Sequence, residues 1–132
     1  METTDYCNYD LSLALKAAGF DEPCDSYYDK ACASDDEYWH TKREEIYNWN
    51  GLDSDCQISA PTLWQAQKWL REKGIAVSVQ ANEIQGELWY SADIITTKGI
   101  NELVDGGFDY MGYEAALSAG ISAALELIEK GE

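Results

Sequence analysis

Ser59-Ala60-Pro61-Thr62-Leu63-Trp64-Gln65-Ala66-Gln67-Lys68-Trp69-Leu70-Arg71-Glu72-Lys73-Gly74-Ile75-Ala76-Val77-Ser78-Val79 is the stretch whose reading decides the fold. Pro61 stands just ahead of a helical window, where its missing N–H costs nothing. Thr62 and Gln65 have capping-box spacing. Leu63, Ala66 and Leu70 recur on one helical face. Lys68, Arg71 and Lys73 gather toward the C-terminal end, where the helix macrodipole favours cations, and Gly74 closes the helix. The period then changes: Ile75, Val77 and Val79 alternate with Ala76 and Ser78, as in a half-buried strand.

Downstream, Glu87 to Thr97 reads as a further strand, hairpin-paired to 75–80 through a turn at Asn82–Gly86. Ile100 to Val104 reads as a short edge strand and Asp105-Gly106-Gly107 as a loop. A last helix spans Tyr113 to Lys130, with Tyr113, Leu117, Ile121, Ala124, Leu125 and Ile128 on its apolar face. Its Ala and Ser residues allow close packing. Upstream, a helix spans Tyr9 to Ala18, capped by Asn8, with Asp10 in its first turn and Leu11, Leu15 and Ala18 on one face. Gly19 follows as a left-handed residue and Phe20 folds back onto the last turn. Ser26 to Ala33 reads as a strand, Ser34 to Glu37 as a turn, and Glu45 to Trp49 as a second strand ending at Asn50-Gly51. A short helix over 36–48 is the alternative, because Lys42, Arg43, Glu44 and Glu45 are good helix formers. Helices separating tight strand pairs predict an α+β fold. The expected form is one domain over 1–132, with an antiparallel or mixed sheet of about four to five strands and about three helices, mainly on one face.

Charge is the strongest compositional signal. The 132 residues carry 25 Asp and Glu against 9 Lys and Arg, a formal net charge of −16. Five Trp, nine Tyr and two Phe accompany them, so this is not the composition of a disordered acidic tail. An acidic surface repels nucleic acid and anionic membrane and draws in basic partners. Residues 1–60 hold 14 acidic and 4 basic residues, so the acidic pole is N-terminal. The polar start METTDYCNYD lacks the basic and apolar regions of a secretory signal. No apolar run reaches the roughly 18 residues of a membrane span. The expectation is a soluble, cytoplasmic protein.

Chemistry-bearing motifs are absent. Cys7, Cys24, Cys32 and Cys56 form no C-x-x-C pair, and free thiols are expected in a reducing compartment. His40, the single histidine, lacks a paired nucleophile to serve as general base. Asp35-Asp36-Glu37 and Asp53-Ser54-Asp55 do not follow the EF-hand ligand series, and a solvated acidic face explains them. Neither a metal nor a cofactor is expected.

Trp64, Trp69, Trp89, Tyr110 and Tyr113 fit core or core-rim positions. Tyr27, Tyr28, Tyr38, Trp39, Tyr47 and Trp49 instead share the N-terminal half with the acids. Tyr and Trp ringed by carboxylates make a hot-spot surface for an Arg-rich partner. The candidate partner-binding residues are Asp35, Asp36, Glu37, Tyr38, Trp39, Glu44, Glu45, Tyr47, Trp49, Asp53 and Asp55.

The block Ala60 to Lys73 with the β-rich Ile75–Val79, Leu15-Lys16-Ala17-Ala18-Gly19-Phe20-Asp21-Glu22-Pro23, and Tyr113-Glu114-Ala115-Ala116-Leu117 together resemble a group of short uncharacterised proteins encoded by gut-type anaerobic bacteria and their phages and prophages. The resemblance covers about a third of the chain. It implies a phage or mobile-element accessory gene and an α+β layout, and it brings no activity and no catalytic residues. The cysteines and the acidic 35–55 stretch lie outside the shared pattern.

The leading expectation is a non-enzymatic acidic binding protein that occupies a basic, nucleic-acid-binding site on a host protein as a nucleic-acid mimic or anti-defence inhibitor. It would bind neither nucleic acid nor membrane directly. The alternatives are a small-ligand binder or carboxylate-based enzyme, and a structural or assembly protein whose charge keeps it soluble.

Overall fold

A computed structural model of the chain describes residues 5–30, 38–48, 50, 57–104 and 110–130. They form two compact units, Met1–Thr62 and Leu63–Glu132. The order of elements is α1 (Tyr9–Ala17), β1 (Cys24–Lys30), β2 (Tyr38–Tyr47), β3 (Gln57–Ser59), α2 (Leu63–Glu72), β4 (Ile75–Ile84), β5 (Glu87–Thr96), β6 (Asn101–Leu103) and α3 (Tyr113–Glu129). The fold is α+β with antiparallel strands. Among the described residues the strands divide between two three-stranded sheets, β2-β1-β3 and β4-β5-β6, rather than joining in one. Among the described residues, no helix is long and apolar enough to cross a membrane.

In the first unit, the Asn8 side chain accepts a hydrogen bond from the Leu11 N–H (2.8 Å), the N-cap expected from the sequence. The helix ends in a Schellman arrangement: Phe20 N–H donates to the Leu15 carbonyl (2.9 Å) and Gly19 N–H to the Lys16 carbonyl (3.1 Å). Leu11, Leu15 and Phe20 are buried with Cys7, Cys24, Tyr27 and Ile58. β2 is a strand, so the helical alternative over 36–48 is set aside for Tyr38–Tyr47. The strand also begins earlier than the expected Glu45. The expected turn at 34–37 lies outside the described residues. β3 has no signature in the sequence, because three residues carry no measurable period. Asn50, expected only to turn the chain, ties the unit together: its N–H donates to Ser59 Oγ (3.0 Å), its Oδ1 accepts from Ser59 N–H (2.9 Å), and its Nδ2 donates to the Phe20 carbonyl (2.9 Å).

In the second unit, β4 and β5 pair over their full length, from Ile75↔Thr96 to Ile84↔Glu87. The hairpin closes on Gln85-Gly86, with φ of 52° and 83°. Positive φ at both central positions belongs to a type I′ turn, for which Gly is suited and Gln is not. The expected turn at 82–86 was therefore too wide. α3 packs across β4 and β5, and α2 lies beside β4 and α3. Leu63, Ala66 and Leu70 are buried as the helical stripe required, joined by Trp69, whose ring lies 5.1 Å from Lys73 Nζ. On α3, Leu117, Ile121, Ala124 and Leu125 are buried as expected, but Tyr113 is 37% exposed. Trp64, read as core or rim, is 40% exposed.

A Cβ added at Gly120 would stand 2.5 Å from Val77 Cγ1 and 3.1 Å from Ala92 Cβ. Only glycine allows this approach of α3 to the sheet. Gly120→Val is expected to lower stability by about 1–3 kcal/mol in urea titration, because overpacking displaces helix from sheet. An unchanged midpoint would show that the approach is looser. Ser91 is 0% exposed and its hydroxyl has no hydrogen-bond partner among the described residues. Ser91→Ala, which removes an unsatisfied group at little cost in volume, is expected to raise stability by about 1 kcal/mol in the same assay.

Candidate functional site

β2 is an edge strand of the first sheet and carries five of the residues singled out from the sequence. Tyr38 stands opposite Lys30, Trp39 opposite Asp29, and Tyr47 opposite Cys24. Glu44 and Glu45 fall where the register shifts, between the Ser26↔Lys42 and Cys24↔Tyr47 pairs. A bulge of this kind bends a strand and interrupts its pairing. The structure thus brings Tyr38, Trp39, Glu44, Glu45 and Tyr47 together as members of one edge strand. Asp35, Asp36, Glu37, Trp49, Asp53 and Asp55 lie outside the described residues. His40 takes its register position opposite Tyr28.

Two aromatics of the acidic half have structural work. Tyr27 is buried. Tyr28 donates its hydroxyl to the Cys7 carbonyl (2.7 Å) and meets the Tyr9 ring edge-on at 5.8 Å. Beside them, Tyr6 donates to Asp25 Oδ2 (3.2 Å) and Ser26 to Asp25 Oδ1 (3.1 Å). Cys7 and Cys24 are buried, and the Cys24 thiol donates to the Glu22 carbonyl (3.5 Å); Cys32 and Cys56 lie outside the described residues. Burial pushes the Cys7 thiol well above its ordinary value of 9.0, with Cys24 adding to the shift. Burial, then the neighbouring Cys7, raises the Tyr28 phenol from 10.0 to about 12. A thiol held protonated in this way is a poor nucleophile.

The second unit presents the apolar surface that composition did not reveal. Leu88 is 56% exposed and Met111 63% exposed, and Tyr113 meets Tyr90 edge-on at 6.0 Å. Tyr90 and Tyr110 exchange backbone hydrogen bonds (2.7 and 3.3 Å). Glu83 and Glu87 flank the hairpin turn and both are exposed. One oxygen of Glu83 accepts from Gly86 N–H (2.6 Å). The sequence signal for this surface is the run 74–97, which contains no Lys, Arg or His. Among the described residues, no group of three or more His, Cys, Asp and Glu is placed to hold a metal ion.

No protein-family model matches the chain, and neither a curated protein nor a solved structure matches it.

Cys7 and Tyr28 keep their protons to higher pH in the fold than in the unfolded chain. Their contribution to stability is complete below about pH 9 and declines as pH rises from there through about 12. Urea midpoints measured from pH 8 upward are expected to fall across this window. Tyr28→Phe is expected to cost about 0.5–1.5 kcal/mol at neutral pH and to make the alkaline fall shallower. An equally steep fall in the variant would remove Tyr28 from the cause.

Proposed function

We propose that the chain is a non-enzymatic acidic binding protein of phage or prophage type. It occupies a basic, nucleic-acid-binding site on a host protein and acts there as a nucleic-acid mimic or anti-defence inhibitor. The observation that carries this reading is the net charge of −16 on a folded chain that keeps its carboxylates at the surface. Asp10, Asp21, Glu72, Glu83, Glu87, Glu102, Glu126 and Glu129 are exposed, and Asp5, Glu22, Asp25, Asp93 and Glu114 are half-exposed. None of these thirteen described carboxylates is buried, as a displayed surface requires. The resemblance to phage and prophage proteins supports the setting, and the candidate residues of the acidic half, with the edge strand β2 among them, support the place.

Carboxylates standing for phosphates reproduce the field that a basic site evolved to hold, and such binding weakens as salt rises. The test is retrieval of partners from host lysate at low salt, then challenge with salt and with duplex DNA. The retained partner is expected to have a basic nucleic-acid site, to leave at high salt, and to be displaced by DNA. Changing Asp35, Asp36 and Glu37 to Asn or Gln is expected to preserve the fold and slow association about tenfold at low salt. Simultaneous binding of DNA and this chain to the partner, or substrate turnover without any partner, overturns the reading.

A further inference from the structure

Peptide groups in an antiparallel strand point alternately to its two sides, with the N–H and C=O of one residue on the same side. Tyr90 exchanges both bonds with Tyr110, and Thr96 N–H donates to the Ile100 carbonyl, so the even positions of β5 face β6. Its odd positions face β4, where the register pairs them with Ala76, Ser78, Gln80, Asn82 and Ile84. Val77, Val79, Ala81 and Glu83 therefore turn their peptide groups outward. Gln67 Nε2 confirms the direction by donating to the Val77 carbonyl (2.7 Å), which covers the edge at that point. Beyond it, the outward N–H and C=O groups of Val79, Ala81 and Glu83 have no hydrogen-bond partner among the described residues. Val79 is half-buried, and Ala81 and Glu83 are exposed.

An open strand edge is a template for another strand. We propose that the outer edge of β4 from Val79 to Glu83 takes up an extended segment of the partner as an added strand, one that alternates Lys or Arg with apolar residues. This rests on the basic-partner reading above and adds to its acidic surface a second contact and a mode of binding. The charge of the hairpin selects the occupant. Residues 74–97 hold Glu83, Glu87 and Asp93 and no cation. Glu83 Oε1 accepts no hydrogen bond from the described residues. Across the ladder, Leu88 lies opposite Glu83 and Glu87 opposite Ile84, so each face of the tip combines one carboxylate with one exposed apolar side chain. A second copy of this chain would bring −16 against −16 and is repelled.

The experiment uses the full chain and a labelled, end-blocked peptide of alternating Lys and Val. Affinity is read by fluorescence anisotropy at low salt, and amide hydrogen exchange is followed residue by residue. Binding is expected to slow exchange at Val79, Ala81 and Glu83. Ala81→Pro removes one outward N–H and no ladder bond, a change that an edge strand tolerates. It is expected to weaken binding about tenfold or more, as is Glu83→Lys. The same peptide N-methylated at alternate residues is expected not to slow those amides. This comparison decides the matter on the unchanged chain even where Ala81→Pro fails to fold. If the peptide binds the variants and the unchanged chain alike, or if the methylated peptide protects the three amides equally, the edge is not the site and charge alone holds the peptide. If neither this peptide nor an all-Lys peptide binds at low salt, the basic-partner reading falls with it.

Discussion

The second unit depends on how near α3 comes to its sheet at Gly120. Val77 Cγ1 and Ala92 Cβ occupy the space a side chain there would need. Ala116 and Ala124, one turn to either side, are fully buried, so the helix presents a narrow ridge of small residues to the strands. Close approach lets Leu117, Ile121 and Leu125 flank that ridge and bury their side chains beside it. It also fixes what remains uncovered. The start of α3 reaches the sheet at Tyr90 through the Tyr113 ring, and the last residues of β4 with the first of β5 extend past it. Leu88 is exposed because the helix has ended, whereas Ile84, paired with Glu87, stands on the other face of the sheet.

The first unit is tied differently. Its apolar residues form a small core, and polar side chains join segments that lack regular pairing. Asn50 binds both Ser59 and the Phe20 carbonyl, linking the end of α1 to β3. Tyr28 reaches from β1 to the Cys7 carbonyl, whose own N–H donates to the Pro61 carbonyl (2.8 Å). Hydrogen bonds of this part-buried kind are modest in net energy but costly to leave half-made. Protonation at Cys7 and Tyr28 follows from the same constraint, since burial disfavours a charge on either group.

What the sequence made legible follows from the range of the forces involved. Helix ends are local: Asn8, Gly19 and Gly74 act within one turn, and α1, α2 and α3 were readable to within a residue or two at each end. The alternation of Ile75, Val77 and Val79 is local too, but Gln80 to Ile84 lose the pattern because no helix covers that part of the sheet. Gln85 in a left-handed conformation breaks the rule by which the turn was sought. Whether strands share a sheet is decided by packing between distant residues, and no window of sequence contains it. The candidate site shares that limit. Composition found acids and aromatics near each other in the chain, yet Tyr27 proved to be core and Tyr28 a half-buried tie. The open edge of β4 is a matter of which peptide groups face outward, a property of register with no compositional trace.

Charge and edge have a common logic. A strand edge left open in a soluble protein invites association of identical copies, and proteins ordinarily block it with a lysine, a proline or a covering loop. Among the described residues, β4 has Gln67 over Val77 and nothing comparable past it. A net charge of −16 opposes self-association in its place, because two copies repel each other on approach. The same field attracts a cationic strand from a distance and rewards lysine or arginine beside Glu83 and Glu87 on arrival. Repulsion of like and attraction of unlike are one electrostatic property, so under the proposed reading the acidity that opposes self-association would also select the partner. Backbone hydrogen bonds do not depend on side-chain sequence, whereas alternate side chains do the discriminating. An edge of this kind set in an acidic surface suits an acceptor for basic segments of varied sequence, with charge setting the encounter and pleat setting the register.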